Sequence, residues 1–275
     1  MSKASEDRRH WPVFLVGCHR SGTTLVRYIL DAHPNLACPP ESKFIKGLYA
    51  FCEYPQAWEA ICSLNVSPGD IYNQLRAIID SFLGGYARRQ GKKRWVDKTP
   101  NYYDILPFID RLFSGQVLYL LTVRHPLDSV ISMEEAYGTP IGGRGDPDLS
   151  RHIAQNGRSI FSWARYWNLV NENLLAFASA NPARCLLLRY EDLVTDAPST
   201  VKALLGFLEE PYTEDLLTSA FTCAHTEGYA DYKIRATTGI HRNSVGIWRE
   251  WPRERTQSLW PMVAELAGRL GYEEQ

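Results

Sequence analysis

The sequence predicts an α/β fold, a central parallel β-sheet carrying helices on both of its faces. Three observations predict it. Short apolar runs of strand length alternate along the chain with longer stretches of helical period. The first strand passes through a glycine-spaced turn directly into the first helix. No internal repeat and no linker rich in Pro, Gly or Ser divides the 275 residues, so a single domain over 1–275 is expected.

The first ten residues, MSKASEDRRH, are polar and are expected to be flexible. Residues 13–16 form a continuous apolar run, as suits a strand covered on both faces. A helical period follows over 23–33, and another over 70–87. Strand 94–96 precedes helix 101–113, and strand 117–123 leads into helix 127–137. Residues 139–157, TPIGGRGDPDLSRHIAQNG, concentrate glycine and proline and are expected to form a mobile loop. Helix 158–179, strand 184–188 and helix 198–208 continue the alternation. Residues 221–251 are polar and aromatic without clear period. In open α/β sheets ligands sit beyond the carboxyl ends of the strands, where such loops gather.

Composition narrows the function classes. Apolar residues make up 45% and charged residues 22%, ordinary for a globular enzyme, and the net charge of −1 gives no field that would draw nucleic acid or a membrane surface. Cysteines 18, 38, 52, 62, 185 and 223 are scattered with no C-x-x-C pair, which argues against zinc and a disulfide framework and for reduced thiols in a cytoplasm. The N-terminus has no apolar signal core, and no run of about 18 apolar residues follows. A protein without a membrane partner is expected.

Residues 14–34, FLVGCHRSGTTLVRYILDAHP, hold the most specific signal. Gly17 and Gly22 keep the spacing of a P-loop, the phosphate-binding turn of P-loop NTPases, but Thr23 stands where its lysine belongs. Free backbone N–H groups and the positive end of a helix dipole make an anion site there. Arg20 adds a positive charge, and Ser21, Thr23 and Thr24 add hydroxyls. The usual nucleotide–magnesium site is in doubt without the lysine, so no metal is expected. The bland alternative is a glycine turn with Arg20 in solvent.

RSGTT after a strand resembles the 5′-phosphosulfate loop of sulfotransferases that use 3′-phosphoadenosine 5′-phosphosulfate (PAPS). The longer string RSGTTLVRYILDAHPNLACPPES is similar to the soluble bacterial-type and tyrosylprotein-like branch. The resemblance implies a P-loop-NTPase-like sheet, PAPS as co-substrate with adenosine 3′,5′-bisphosphate as product, and a phosphosulfate on Arg20, Ser21, Gly22, Thr23 and Thr24. In LTVRHPLDSVISM, Arg124 ends an apolar strand and Ser132 lies about two turns into the next helix; the resemblance implies that both bind the 3′-phosphate. The alternative pairs Arg124 with Asp128 at the helix start. HRNSVGIWREW resembles the family's closing segment, which implies that Arg242 clamps the 3′-phosphate with help from Ser244, although Asn243 and Ser244 depart from the arginine–lysine–glycine pattern of cytosolic relatives. LLLRYEDLVTDAP is also family-like and brings Tyr190 to the nucleotide, or else Tyr190, Glu191 and Asp192 only end a strand and cap a helix.

Sulfuryl transfer needs in-line placement and cations near the leaving oxygens, with less charge to neutralise than a phosphoryl transfer. The resemblance implies that Lys98, in WVDKTPNYYD, shares the cationic role with Arg20. The alternative pairs Lys98 with Asp97 at a turn. The histidine two residues after this lysine in cytosolic relatives is absent, since Lys98 is followed by Thr99 and Pro100. The tyrosylprotein branch uses a glutamate after the first helix, and CPPES puts Glu41 at that offset, with Pro39 and Pro40 ending the helix. Otherwise Glu41 complements the dipole of a following helix. His19, inside the loop, faces either donor or solvent.

A small-metabolite kinase explains the glycines but fails at Thr23, and a non-catalytic bisphosphate sensor leaves Glu41 and Lys98 without a task. With no membrane anchor, the expected acceptor is a small molecule, a natural product or a saccharide, attacked through hydroxyl or amine. Phe44, Tyr49, Phe51, Tyr54 and Trp58 line it or simply form core, and the basic stretch 87–94 reads as a solvated helix end. The sequence leaves the oligomeric state open.

Overall fold

The computed structural model describes residues 7–140, 142, 146–226, 234 and 237–273. Five strands form one sheet in the order β2-β3-β1-β4-β5, and every neighbouring pair is parallel. The strands are β1 (Val13–Gly17), β2 (Leu36–Ala37), β3 (Arg94–Lys98), β4 (Leu118–Val123) and β5 (Cys185–Arg189). Four were expected within a residue or two at their ends. β2 was not, because two residues carry no period; it exists through pairing of Leu36 and Ala37 with Arg94 and Trp95.

Alternation along each strand splits the core into two layers. Phe14, Val16, Tyr119 and Leu121 point to one face. There they meet α6 (Leu106–Leu112), α7 (Pro126–Tyr137), α9 (Ile160–Ala180) and α13 (Arg253–Arg269). Val13, Leu15, Leu118 and Leu120 point to the other, against α1 (Thr23–Ala32), α11 (Ala197–Leu208) and α12 (Leu216–Thr222). A strand buried on both faces has no polar register to keep, which is why these runs read as uniformly apolar.

The remaining helices are α2 (Ile45–Cys52), α3 (Pro55–Cys62), α4 (Pro68–Ile79), α5 (Gly85–Arg89), α8 (Pro147–Asn156) and α10 (Tyr190–Thr195). The expected helix over 70–87 is α4 and α5 joined by a π-helical turn, Asp80–Gly84, next to the Gly84-Gly85 pair. The expected helix over 101–113 is a 3₁₀ turn, Pro100–Asp104, followed by α6. Two loop expectations change. Within 139–157, residues 147–156 are helix α8: Asp146 caps it by accepting the Asp148 and Leu149 amides at 3.1 and 3.0 Å, and Pro147 fills the first turn. Residues 141 and 143–145 of that stretch lie outside the described residues. Of the terminus expected to be flexible, 1–6 also lie outside them, whereas Arg8–His10 form a 3₁₀ turn capped by Asp7. Among the described residues no helix is long and apolar enough to cross a membrane.

Candidate active site

The site begins where β1 and β4 end side by side. Gly17 pairs with Thr122, and a Cβ on Gly17 would lie 2.0 Å from Thr122 Oγ1, so the close approach requires glycine. Arg20 adopts φ 69°, left-handed backbone that costs a non-glycine residue about 1–2 kcal/mol. Gly22, at φ 89°, then opens α1. This winding turns the Arg20 side chain toward α7, where its Nε donates to Ser132 Oγ at 3.1 Å. The two residues assigned by resemblance to opposite ends of a nucleotide are therefore hydrogen-bonded to each other.

Arg124 follows β4. Its guanidinium donates to the Arg20 carbonyl at 3.0 Å and to the Ser244 carbonyl, and lies 4.9 Å from the Tyr190 ring centroid. Its Nε is buried without a hydrogen-bond partner. Leaving such a buried N–H unpaired costs about 1–3 kcal/mol. The alternative partner, Asp128, is engaged elsewhere, accepting the Gly246 and Trp248 amides at 2.8 and 3.1 Å. Burial pushes its carboxyl up. Tyr190 opens α10 with its ring over Gly22, where a Cβ would come within 2.4 Å of it.

Arg20, Gly22, Arg124, Ser132, Tyr190 and Ser244 line a cavity of about 350 Å³, together with His19, Thr23, Thr24 and Glu41. Its far wall comes from irregular chain. Glu41 stands between β2 and α2, outside any helix. Pro39 and Pro40 do not end the first helix as the spacing suggested: α1 stops at Ala32, and β2 intervenes before the prolines. Glu41 is thus held by side chains. Lys98 Nζ donates to Glu41 Oε1 at 2.9 Å, and Lys43 Nζ lies 3.3 Å from Oε2. Burial pushes the Glu41 carboxyl up, but the charge and hydrogen bond of Lys98 more than offset it and hold it below the ordinary range.

Lys98 does not pair with Asp97 across a turn. Asp97 is fully buried and takes hydroxyls from Ser42 at 2.5 Å and Thr99 at 2.7 Å. Its carboxyl is pushed up to about 6, chiefly by burial. Lys98, 1% exposed, is free to reach along β3 to Glu41.

Three expected site residues sit differently from the sequence reading. Ser21 turns its hydroxyl into the sheet, 2.7 Å from Thr122 Oγ1, and does not line the cavity; it braces the loop from behind. Arg242 is exposed and donates to the Thr195 carbonyl at 2.9 Å, outside the cavity, because the 239–246 segment presents His241 and Ser244 instead. Lys98 lies behind Glu41 and does not form the wall itself. His19 faces the cavity: its ring stacks on Tyr166, and its Nε2, buried without a hydrogen bond, lies 3.6 Å from Asp146 Oδ2. Burial holds this imidazole below its ordinary value. Tyr137, Pro100 and Ile240 are also among the lining residues, and nothing in their sequence context singled them out. Asp146 carried a readable signal, the Asp-Pro start of a helix. Among the described residues no group of three His, Cys, Asp or Glu side chains could hold a metal ion.

Comparison with known proteins bears on the family and the fold. A model of the sulfotransferase family matches residues 12–214. The nodulation protein NoeE of Sinorhizobium fredii is 26% identical over 95% of this chain, which spans about two thirds (66%) of that protein's length. A putative protein-tyrosine sulfotransferase of Caenorhabditis briggsae is 23% identical, covering 95% of this chain and 89% of that protein. Among solved structures, the sulfotransferase domain of the Synechococcus olefin synthase superposes with a TM-score of 0.63 at 21% identity over 100% of both chains. Mouse sulfotransferase SULT7A1 complexed with PAP superposes with a TM-score of 0.53 at 15% identity, over 95% of this chain and 85% of that one.

Proposed function

The chain belongs to the sulfotransferase family, and from that premise we propose that it moves the sulfuryl group of PAPS to a hydroxyl or amine of a small molecule, natural product or saccharide. The single observation that carries this reading is Glu41 on the same cavity as the anion loop and Arg124, backed by Lys98 at 2.9 Å. A sensor of the bisphosphate needs no carboxylate there, and a kinase needs the lysine that Thr23 replaces.

The donor is read from the two cationic groups. Loop 17–24 with Arg20 receives the 5′ end, and Arg124 with Ser132, on the same cavity, receives the 3′-phosphate. The PAP bound to SULT7A1, a protein of the same fold, supports this choice. Glu41 takes the acceptor's proton. In the resting protein Lys98 suppresses its basicity. As negative charge develops on the oxygen leaving the sulfur, Lys98 is drawn toward it, and the Glu41 carboxylate regains basicity while the acceptor deprotonates. One lysine thereby couples leaving-group stabilisation to base activation.

The acceptor class rests on the size of the cavity at Glu41, about 350 Å³, which suits a small molecule or a sugar unit. The six cysteines, all free, accord with a cytoplasmic setting. The test is transfer of radiolabelled sulfate from PAPS to a panel of phenols, aliphatic alcohols, amines, oligosaccharides and acidic tyrosine peptides. Transfer to a small molecule or saccharide is expected. Transfer to the peptides alone would move the acceptor to the protein-tyrosine class, and donor binding without transfer to any acceptor would favour the sensor.

A further inference from the structure

A second chemical constellation lies where α12 packs beside the last turn of α1. Cys223, just past α12, is exposed, and its Sγ lies 3.3 Å from His225 Nε2. The other ring nitrogen, Nδ1, lies 2.7 Å from Asp31 Oδ2. The His225 and Asp31 side chains are only 5% and 7% exposed. The Tyr28 ring, 4.2 Å away between centroids, holds the imidazole in place. Asp31 is itself fixed, accepting the Cys38 amide at 2.9 Å and lying 3.6 Å from Lys92 Nζ. Burial pushes its carboxyl up, but the His225 and Cys38 hydrogen bonds and the Lys92 charge more than offset this and keep it ionised. A nucleophile, a base within reach and a carboxylate orienting that base form the arrangement that activates thiols.

We propose that Cys223 is a covalent modification site, a thiol that His225 and Asp31 activate for exchange with small disulfides. In the neutral ring the Asp31 carboxylate holds the proton on Nδ1, and Nε2 then faces both Sγ, 3.3 Å away, and the Ala220 carbonyl oxygen, 3.1 Å away. Burial and the nearby Asp31 charge push the free thiol up, so Cys223 keeps its proton at rest and reacts by general-base assistance. As Sγ attacks one sulfur of the incoming disulfide, its proton passes to Nε2. A new S–S bond forms at Cys223, the old one breaks, and the second sulfur leaves as a thiolate. The Ala220 carbonyl, 3.1 Å from Nε2, accepts the new N–H, while Asp31 neutralises the imidazolium.

The other cysteines lack this arrangement. Cys18 and Cys38 are fully buried with thiols pushed well above their ordinary value by burial. The Cys185 thiol is pushed up to about 12, again by burial. Cys62, part-exposed at the end of α3, is the natural comparator.

The test uses the full chain and dithiobis(nitrobenzoate) as the disulfide, with each cysteine followed by peptide mapping. Cys223 should react first and at least about tenfold faster than Cys62, and faster in the folded chain than in denaturant. His225→Gln should slow Cys223 by at least about tenfold and leave Cys62 unchanged. A Cys223 no faster than Cys62, or one slower in the folded chain than in denaturant, overturns the proposal. So does an unchanged or raised Cys223 rate in His225→Gln, because loosening of the 223–226 segment would expose the thiol and speed it.

Discussion

The two walls of the cavity are made by opposite means. On one side, loop 17–24 and Arg124 leave the ends of neighbouring strands whose register sets Gly17 beside Thr122. Much of that wall is backbone: a loop wound by Gly22 and a helix start that presents its dipole. On the other side, Glu41 comes from irregular chain and is held by charge from behind, with Lys43 joining it to the Asp146 helix cap. Lys98 and Glu41 are 57 residues apart in sequence. The difference teaches where each wall is fragile. A backbone wall keeps much of its affinity when a side chain is lost, whereas a wall of paired charges fails when one charge goes.

The hardest break in that comparison is Glu41→Gln, which keeps an acceptor oxygen for the buried Lys98 ammonium while removing the base. Turnover should fall by about 10²–10⁴-fold with bisphosphate affinity unchanged in calorimetry. A shifted affinity with preserved turnover would mean that the carboxylate serves the donor wall instead.

Next comes the support beneath the charged wall. The Asp97 carboxyl is pushed up to about 6, mainly by burial, so the folded chain holds this proton more tightly than the unfolded chain does. The stability it contributes is complete below about pH 4 and is lost as pH rises through about 6. Asp97→Asn mimics the protonated form, and both the Ser42 and Thr99 hydroxyls can turn to suit it. Urea unfolding should find the variant about 3 kcal/mol more stable than the parent at neutral pH, with the gap closing as pH falls toward about 4. A variant that is less stable at neutral pH would mean that Lys98 and the two hydroxyls stabilise the Asp97 carboxylate by more than burial penalises it.

The donor wall gives the smaller effects. Arg124→Ala should weaken adenosine 3′,5′-bisphosphate by about 10–100-fold, the worth of a charged hydrogen bond, and erase most of its advantage over adenosine 5′-monophosphate. Arg242→Ala should stay within about twofold, since that side chain is exposed and bonded to the Thr195 carbonyl. Equal losses from both arginines would place Arg242 on the ligand and restore the role that the family resemblance gave it.

Legibility in the sequence follows the same division. The strands around the anion loop could be read because a strand buried on both faces is apolar without interruption, as in Val13–Gly17 and Leu118–Val123. α8 was passed over because the glycines and prolines of 139–157 outweighed the Asp146-Pro147 cap that starts it. β2 left no trace, since two residues become a strand only when Arg94 and Trp95 are there to pair with them. At the site, the residue types of RSGTT and the offset of Glu41 were readable. The inward turn of Ser21 and the outward turn of Arg242 were not, because each is decided by a partner, Thr122 or Thr195, far away in sequence.

By itself, then, the sequence determined the alternation of strand and helix, the anion-binding turn and the identity of the charged groups, all of which depend on neighbours within a few residues. Only the tertiary structure decided which charges meet. The union of Lys98 with Glu41, and of Cys223 with His225 and Asp31, arises from segments that folding brings together. Ion pairs and hydrogen bonds act over a few ångströms of space and are indifferent to distance along the chain, so no local pattern could have announced them.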